Sequence, residues 1–71
     1  MKIDIYLKST KQIETYDFEP SEAQRLAEDF HKYLESGTPK RGAYNYADPH
    51  TKQQKLLYLV FDAIDLMEAD L

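Results

Sequence analysis

The chain contains no cysteine and no tryptophan, and only two of its 71 residues are glycine. Without cysteine it has no disulfide framework, no thiol nucleophile and no thiolate metal site. Gly37 and Gly42 stand apart from any glycine-rich phosphate-binding loop. No apolar stretch approaches the ~18 residues that cross a bilayer, since the longest run, 56–61, has the length of a core strand. These absences exclude several enzyme classes and predict a chain with no membrane span.

The remaining polar residues also lack the patterns of a catalytic site. None of Ser9, Ser21 and Ser36 lies in a G-x-S-x-G nucleophile elbow. His31 and His50 are too few for a histidine metal cage, and neither has a neighbouring acid–base pattern. We therefore predict no catalytic residues, no cofactor and no metal, and a function that is not enzymatic.

The length predicts one small α+β domain, 1–71, with a thin hydrophobic core. Domains of this size gain stability from disulfides, from metals or from a second subunit. Because disulfides and thiolate metal sites are excluded, we expect the chain to form a homodimer. The absence of cysteine also fits a reducing compartment, and we expect a soluble, cytoplasmic protein.

A β-hairpin is predicted at the start of the chain. Ile3, Ile5 and Leu7 alternate with polar residues, which is the period of a half-buried strand. A second strand, 12–18, follows a polar break at 8–11, although this break lacks the Gly or Asn that a two-residue turn favours.

A helix is predicted over residues 20–36, where apolar residues recur at three- and four-residue spacings and form one stripe. Pro20 suits a first helical turn, and Ser21-x-x-Gln24 matches a capping box. Gly37 supplies the left-handed residue with which many helices end.

The last third of the chain allows two interpretations, after a short strand expected around 43–46. Residues 52–70 fit an amphipathic helix, but the final turns of that helix hold acids and no cation, which opposes the helix dipole. Alternatively, 56–61 and 64–68 are two strands joined by a turn at residues 62–63.

The two ends of the chain resemble those of certain small bacterial and phage proteins of unassigned function. The resemblance rests on residues 2–9, KIDIYLKS, and on residues 56–64, LLYLVFDAI. It implies that both segments are sheet strands, and it carries no activity with it. We therefore predict an α+β fold with a β-hairpin, one amphipathic helix and then two or three short antiparallel strands; a helical segment 52–70 is the alternative.

Charge is distributed unevenly along a chain whose net charge is −4. Residues 37–55 hold four cations and one acid, a net charge of +3, whereas 56–71 hold four acids and no cation. Cations beside aromatic rings can neutralise phosphates and stack unpaired bases. The candidate nucleic-acid contacts in the basic–aromatic loop 40–55 are Lys40, Arg41, Tyr44 and Tyr46, with Lys52 and Lys55 following them. The acidity of the whole chain disfavours a nucleic-acid partner, so this function is the alternative.

The acidic C-terminal segment offers a weaker hypothesis. Asp62, Asp65 and Glu68 are dense enough to suggest a site for Mg²⁺ or Ca²⁺, but they do not match the spacing of an EF-hand loop. An exposed acidic face is the preferred explanation, and we rank a cation-dependent enzyme last.

Six tyrosines favour a protein-binding surface, because tyrosine combines rigid apolar area with a polar tip. Tyr6 and Tyr58 are the candidate interface residues. The leading prediction is a small non-catalytic protein–protein interaction or regulatory module. Its protein partner is unidentified, and the module is expected to self-associate.

Overall fold

The computed structural model describes residues 1–70, which form an α+β fold with one helix and one sheet. The strands are β1 (Lys2–Leu7), β2 (Ile13–Phe18), β3 (Arg41–Ala47), β4 (Gln54–Val60) and β5 (Ile64–Ala69); the helix is α1 (Pro20–Ser36), and a 3₁₀ turn covers Phe61–Ala63. The predicted order of hairpin, helix and further strands is confirmed. The C-terminal segment forms two strands, so the alternative helix over 52–70 is not formed.

All five strands belong to one antiparallel sheet in the order β4-β3-β2-β1-β5. β1 pairs with β2 and with β5 over most of its length, and β3 pairs with β4 along its whole length. By contrast, β2 and β3 pair only at Asp17–Ala47 and Phe18–Tyr46. The sheet therefore has two parts, β2-β1-β5 and the β3–β4 hairpin, which meet at a narrow seam.

The two edge strands, β4 and β5, are connected only by the three residues Phe61–Ala63. Five flat strands at ~4.8 Å spacing would place the edges ~19 Å apart, whereas four residue steps reach at most ~14 Å. The sheet must therefore curl. The 3₁₀ turn closes the curl from both sides, because the Phe61 N–H donates to the Lys40 carbonyl (2.9 Å) and the Lys8 N–H donates to the Ala63 carbonyl (3.0 Å).

The hydrophobic core lies between α1 and the sheet face that α1 covers, which we call the inner face. Helix residues Ala23, Leu26 and Phe30 are buried there, as the stripe predicted. The stripe is narrower than its sequence pattern, because Leu34 is largely exposed. The other buried members of the core are Ile3, Ile5, Phe18, Tyr44, Leu59, Phe61 and Ile64.

The two ends of α1 differ in how well the sequence predicts them. The helix ends at Gly37, whose φ of 81° is left-handed and whose N–H donates to the Tyr33 carbonyl at 2.7 Å, as predicted. The capping box does not form. Glu19 is the N-cap and makes no side-chain capping bond, because the helix already begins at Pro20 and leaves Ser21 inside its first turn.

The β1–β2 and β3–β4 hairpins use the same turn, and this repeat is not apparent from either sequence segment alone. Loops 7–12 and 48–53 each close with two backbone hydrogen bonds of 2.9–3.1 Å and end in Thr-Lys-Gln. Lys11 and Lys52 adopt left-handed φ values of 59° and 63°. A left-handed residue after the turn matches the twist of the strands, which explains why neither hairpin needs the expected Gly or Asn.

Candidate interaction surface

Side chains of α1 occupy much of the β3 edge that β2 leaves unpaired. Arg25 Nη2 donates to the Ala43 carbonyl at 2.7 Å, and the Asn45 amide donates to Glu22 at 3.0 Å. Glu22 and Arg25 also form an ion pair of 2.6 Å. Hydrogen bonds from Asn45 and Arg25 lower the pKa of the Glu22 carboxyl. These contacts fix the β3–β4 hairpin against the helix, and so they also fix the position of the hairpin face that points away from the helix.

Tyr44, one of the candidate nucleic-acid contacts, is fully buried. Its hydroxyl donates to Asp29 at 2.7 Å, and burial together with this bond raises the Tyr44 pKa above its ordinary value. Its ring lies so close to Gly42 that a Cβ at that position would collide with the tyrosine hydroxyl. Tyr44 is therefore a core residue, and its ring is not available to stack a base.

The other residues of the basic–aromatic loop are spread along the hairpin. Lys40 and Arg41 lie at the start of β3, whereas Tyr46 lies near its end, opposite Lys55. Lys52 is in the adjoining turn. Because six residue steps of a strand span ~20 Å, the cations form two separate groups and not one basic patch.

Tyr46 instead contributes to a cleft at the seam. The cleft has a volume of about 410 Å³, and its lining includes Tyr16, Tyr46, Lys2 and Lys52. The two tyrosine rings meet edge to face with centroids 4.9 Å apart. This cleft, with aromatic rings beside cations, was not apparent from the sequence because Tyr16 and Lys2 belong to a distant hairpin.

Two acids also line this cleft, and each is paired with a cation. Asp17 contacts the N-terminal ammonium at 3.1 Å, and Asp48 contacts Lys55 at 2.7 Å. The ion pair with Lys55 and two backbone N–H bonds lower the Asp48 pKa to about 2. Lys2 and Lys52 have no ion-pair partner within residues 1–70. The cleft therefore presents net positive charge.

An apolar surface covers the outer face of the β3–β4 hairpin, on the side away from α1. Leu56, Tyr58 and Val60 alternate along β4 and are 47%, 76% and 56% exposed. Beside them Ala43 faces Tyr58 across the strand pair, and a shallow depression of about 430 Å³ lies between the strands. We call Ala43, Leu56, Tyr58 and Val60 the Tyr58 surface. It contains no acid and has Arg41 at its rim.

The backbone N–H and C=O groups of Leu56, Tyr58 and Val60 face the open edge of the sheet. The Phe61 N–H donates to the Lys40 carbonyl, and the Asp48 N–H donates to the Gln53 carbonyl. Because backbone groups alternate between the two sides of an antiparallel strand, odd-numbered residues of β4 face β3. The even-numbered residues therefore point outward, where no strand within the described range is paired.

Tyr6, the second candidate interface residue, lies in a different environment. Its hydroxyl donates to Glu68 across β1 and β5 at 2.6 Å, and this bond raises the Tyr6 pKa. The next row of the same outer face contains a hydrogen bond of 2.6 Å from Thr15 to Asp4. The outer face of β2-β1-β5 thus carries these polar contacts beside one apolar row, in which the exposed Ile13 and Leu66 flank Tyr6, whereas the Tyr58 surface has no such polar contacts among residues 1–70.

The acids considered as a cation site are dispersed. Asp62 accepts a hydrogen bond from Tyr33 at the 3₁₀ turn, whereas Glu68 lies on the outer face beside Tyr6. Within residues 1–70 no group of three or more histidine or acidic side chains is arranged to hold a metal ion.

The exposure of Leu56 and Val60 beside the predicted interface residue Tyr58 is the feature that sequence reasoning missed. The continuous apolar run 56–61 predicts a strand buried on both faces. In the structure only alternate residues are buried, because β4 is at an edge and α1 covers one face. A uniformly apolar run carries no signal of which face stays exposed.

The chain matches no protein-family model, no curated protein and no solved structure. No helix in the part of the chain that the structure describes combines the length and apolarity needed to span a bilayer.

Proposed function

We propose that this protein is a small, non-catalytic protein–protein interaction module that associates with itself through the Tyr58 surface. The observation that supports it is the exposure of Leu56, Tyr58 and Val60 side by side on β4, whose outer edge pairs with no strand among residues 1–70. Adjacent apolar side chains at an open sheet edge favour association with another chain. We place the module in the cytoplasm, a location that the absence of cysteine supports.

The size of the surface favours reversible association. Burying the exposed part of each large side chain contributes roughly 1–2 kcal/mol, and a dimer would bury six of them. Association costs ~4–15 kcal/mol in lost translational and rotational freedom. The two amounts are similar, so we expect an equilibrium between monomer and dimer that depends on protein concentration.

Light scattering over a wide range of protein concentration tests this proposal. Wild-type protein should shift from monomer to dimer, and Tyr58→Ser should stay monomeric at concentrations where the wild type is dimeric. Ile13→Ser is the control, because Ile13 is also a largely exposed apolar residue, at 56% against 76% for Tyr58, but lies on β2. A wild type that is monomeric at every concentration contradicts the proposal. Loss of the dimer in Tyr6→Ser but not in Tyr58→Ser would move the interface to the polar part of the sheet.

A second candidate function is weak nucleic-acid binding at the seam cleft. It is supported by the position of Tyr16 and Tyr46 beside Lys2 and Lys52, since ring stacking and phosphate neutralisation act together in single-strand recognition. Fluorescence anisotropy of a labelled single-stranded oligonucleotide at low and moderate salt tests it. Binding should weaken with salt and in Lys52→Ala, but not in Lys40→Ala; no binding at low salt rejects this function.

A further inference from the structure

We infer that two copies of the chain join through antiparallel β4 strands, with Tyr58 opposite the partner's Tyr58. This geometry rests on the self-association proposed above. The two sheets then continue into one another across a two-fold axis. The open edge of β4 supplies the required hydrogen-bonding groups, because the N–H and C=O groups of Leu56, Tyr58 and Val60 point outward. An identical antiparallel strand presents the complementary donors and acceptors.

The sequence of β4 selects one register. Side chains alternate between the two faces of a strand, so a register shift of one residue would place outer side chains opposite inner ones. The registers that keep outer side chains opposite outer side chains therefore differ by two residues. With Tyr58 on the axis, Leu56 lies opposite the partner's Val60, and every outer apolar side chain meets another. A shift of two residues in one direction puts Val60 opposite the partner's Gln54, and a shift in the other puts Leu56 opposite the partner's Asp62. The apolar pattern is therefore self-complementary in one register only.

Charge also favours the pairing of β4 with itself over pairing with β5. β4 contains no acid, whereas the outer face of β5 carries Glu68 next to Leu66. Pairing β4 with the partner's β5 would place that carboxylate beside an apolar side chain of β4. Such head-to-tail contacts also build rings or filaments, whereas pairing through β4 alone closes at a dimer.

Cysteine cross-linking tests the register directly, because the wild-type chain contains no cysteine. An equal mixture of Leu56→Cys and Val60→Cys should form a disulfide-linked dimer under mild oxidation. Directly opposite Cα atoms in an antiparallel pair are ~4.5–5.5 Å apart, within the range a disulfide spans. In a dimer of either variant alone, the two copies of the introduced cysteine are offset by four residues along the paired strands, ~13 Å apart. Tyr58 is unchanged in both variants, so the surface keeps its largest side chain.

Non-reducing electrophoresis and mass spectrometry read the result. We expect at least tenfold more linked dimer in the mixture than in either variant alone, or than in a control mixture of Ile13→Cys with Val60→Cys. Equal linking of each variant with itself overturns this register, and a ladder of higher species overturns the closed dimer. If light scattering shows a Tyr58-dependent dimer but 56–60 links do not form, the proposed function stands and the strand pairing is wrong. If no dimer forms, both are wrong.

Discussion

The two edge strands of this sheet, β4 and β5, have similar lengths but opposite outer faces. β4 directs the alternate residues Leu57 and Leu59 toward the core, whereas β5 directs Ile64 and Met67, which are three residues apart because a β-bulge interrupts its pairing with β1. Outward, β4 presents Leu56, Tyr58 and Val60, whereas β5 presents Leu66 beside Glu68. A charged side chain on an edge strand discourages pairing with another sheet, because its burial would cost desolvation free energy.

The difference shows that one small sheet can protect one edge and leave the other available. On the outer face of β2-β1-β5, cross-strand hydrogen bonds from Tyr6 to Glu68 and from Thr15 to Asp4 place polar groups beside the exposed Ile13 and Leu66. Within residues 1–70, β4 has no comparable side-chain hydrogen bond on its outer face. A chain that protected both edges in this way would have no apolar edge for a partner, so the asymmetry of the two edges would make the proposed association specific.

The largest expected effect concerns how firmly each edge strand is anchored in the core. Leu59→Ala on β4 should lower the free energy of unfolding by about 2–4 kcal/mol, because Leu59 is only 8% exposed and its removal leaves a cavity. Met67→Ala on β5 should cost about half as much, because Met67 is only partly buried. Urea denaturation at low protein concentration measures both. Equal losses would show that the two strands differ only in their outer faces.

A change of intermediate size would remove the difference between the edges. Glu68→Leu gives β5 an apolar outer face like that of β4, and we expect assemblies larger than a dimer at concentrations where the wild type is dimeric. Stability of the monomer should change by about 0.5 kcal/mol or less, because the site is exposed. Light scattering measures the assemblies. Glu68→Gln is the control, since it keeps an acceptor for Tyr6; large species in that variant would refute the role of apolarity.

The smallest expected effect depends on pH and on the turn that leads into β4. Asp48 has a pKa of about 2 in the folded protein, below its ordinary value of 3.8, so its contact with Lys55 stabilises the fold above about pH 4. This contribution is lost as pH falls through about 2. Asp48→Asn should therefore be less stable than the wild type at neutral pH, and the difference should disappear as pH falls below about 2.

Thermal unfolding at several pH values checks this prediction. The asparagine still accepts the backbone N–H bonds of His50 and Thr51, so the turn itself is preserved. Asp65→Asn on β5 serves as the control for net charge, because Asp65 has no ion pair within residues 1–70. A stability difference that does not change with pH would show that the ion pair with Lys55 contributes nothing.

Local patterns predicted the order of elements well. The period-two alternation of residues 3–7 and the helical stripe of 20–36 both depend on neighbours in sequence, and both appear in the structure. The length of β3 was underestimated, because its pairing with β4 extends it to Arg41 and Ala47. Strand order and edge position arise from contacts between distant segments, which no single segment encodes.

The candidate site was predictable to the same extent. Tyr58 follows from the abundance of tyrosine on an apolar strand, and its exposure supports its selection. The alternation of β3 shows that Tyr44 and Tyr46 share a face, but not that this face is the inner one. That choice depends on the register with β4 and on the position of α1, neither of which can be read from residues 40–46.

The contacts of Glu22 and Arg25 with the edge of β3 have a consequence for how the molecule comes apart. Side chains of α1 act in place of a neighbouring strand here, because they supply hydrogen-bond partners to the part of β3 that β2 does not pair with. Opening the first two turns of α1 would therefore remove these bonds from the β3–β4 hairpin, leaving its core packing and its short pairing with β2 to hold it. A sheet that is nearly divided at the seam is held as one cooperative unit, and amide hydrogen exchange in β3 should report the docking of the helix as much as the pairing of strands.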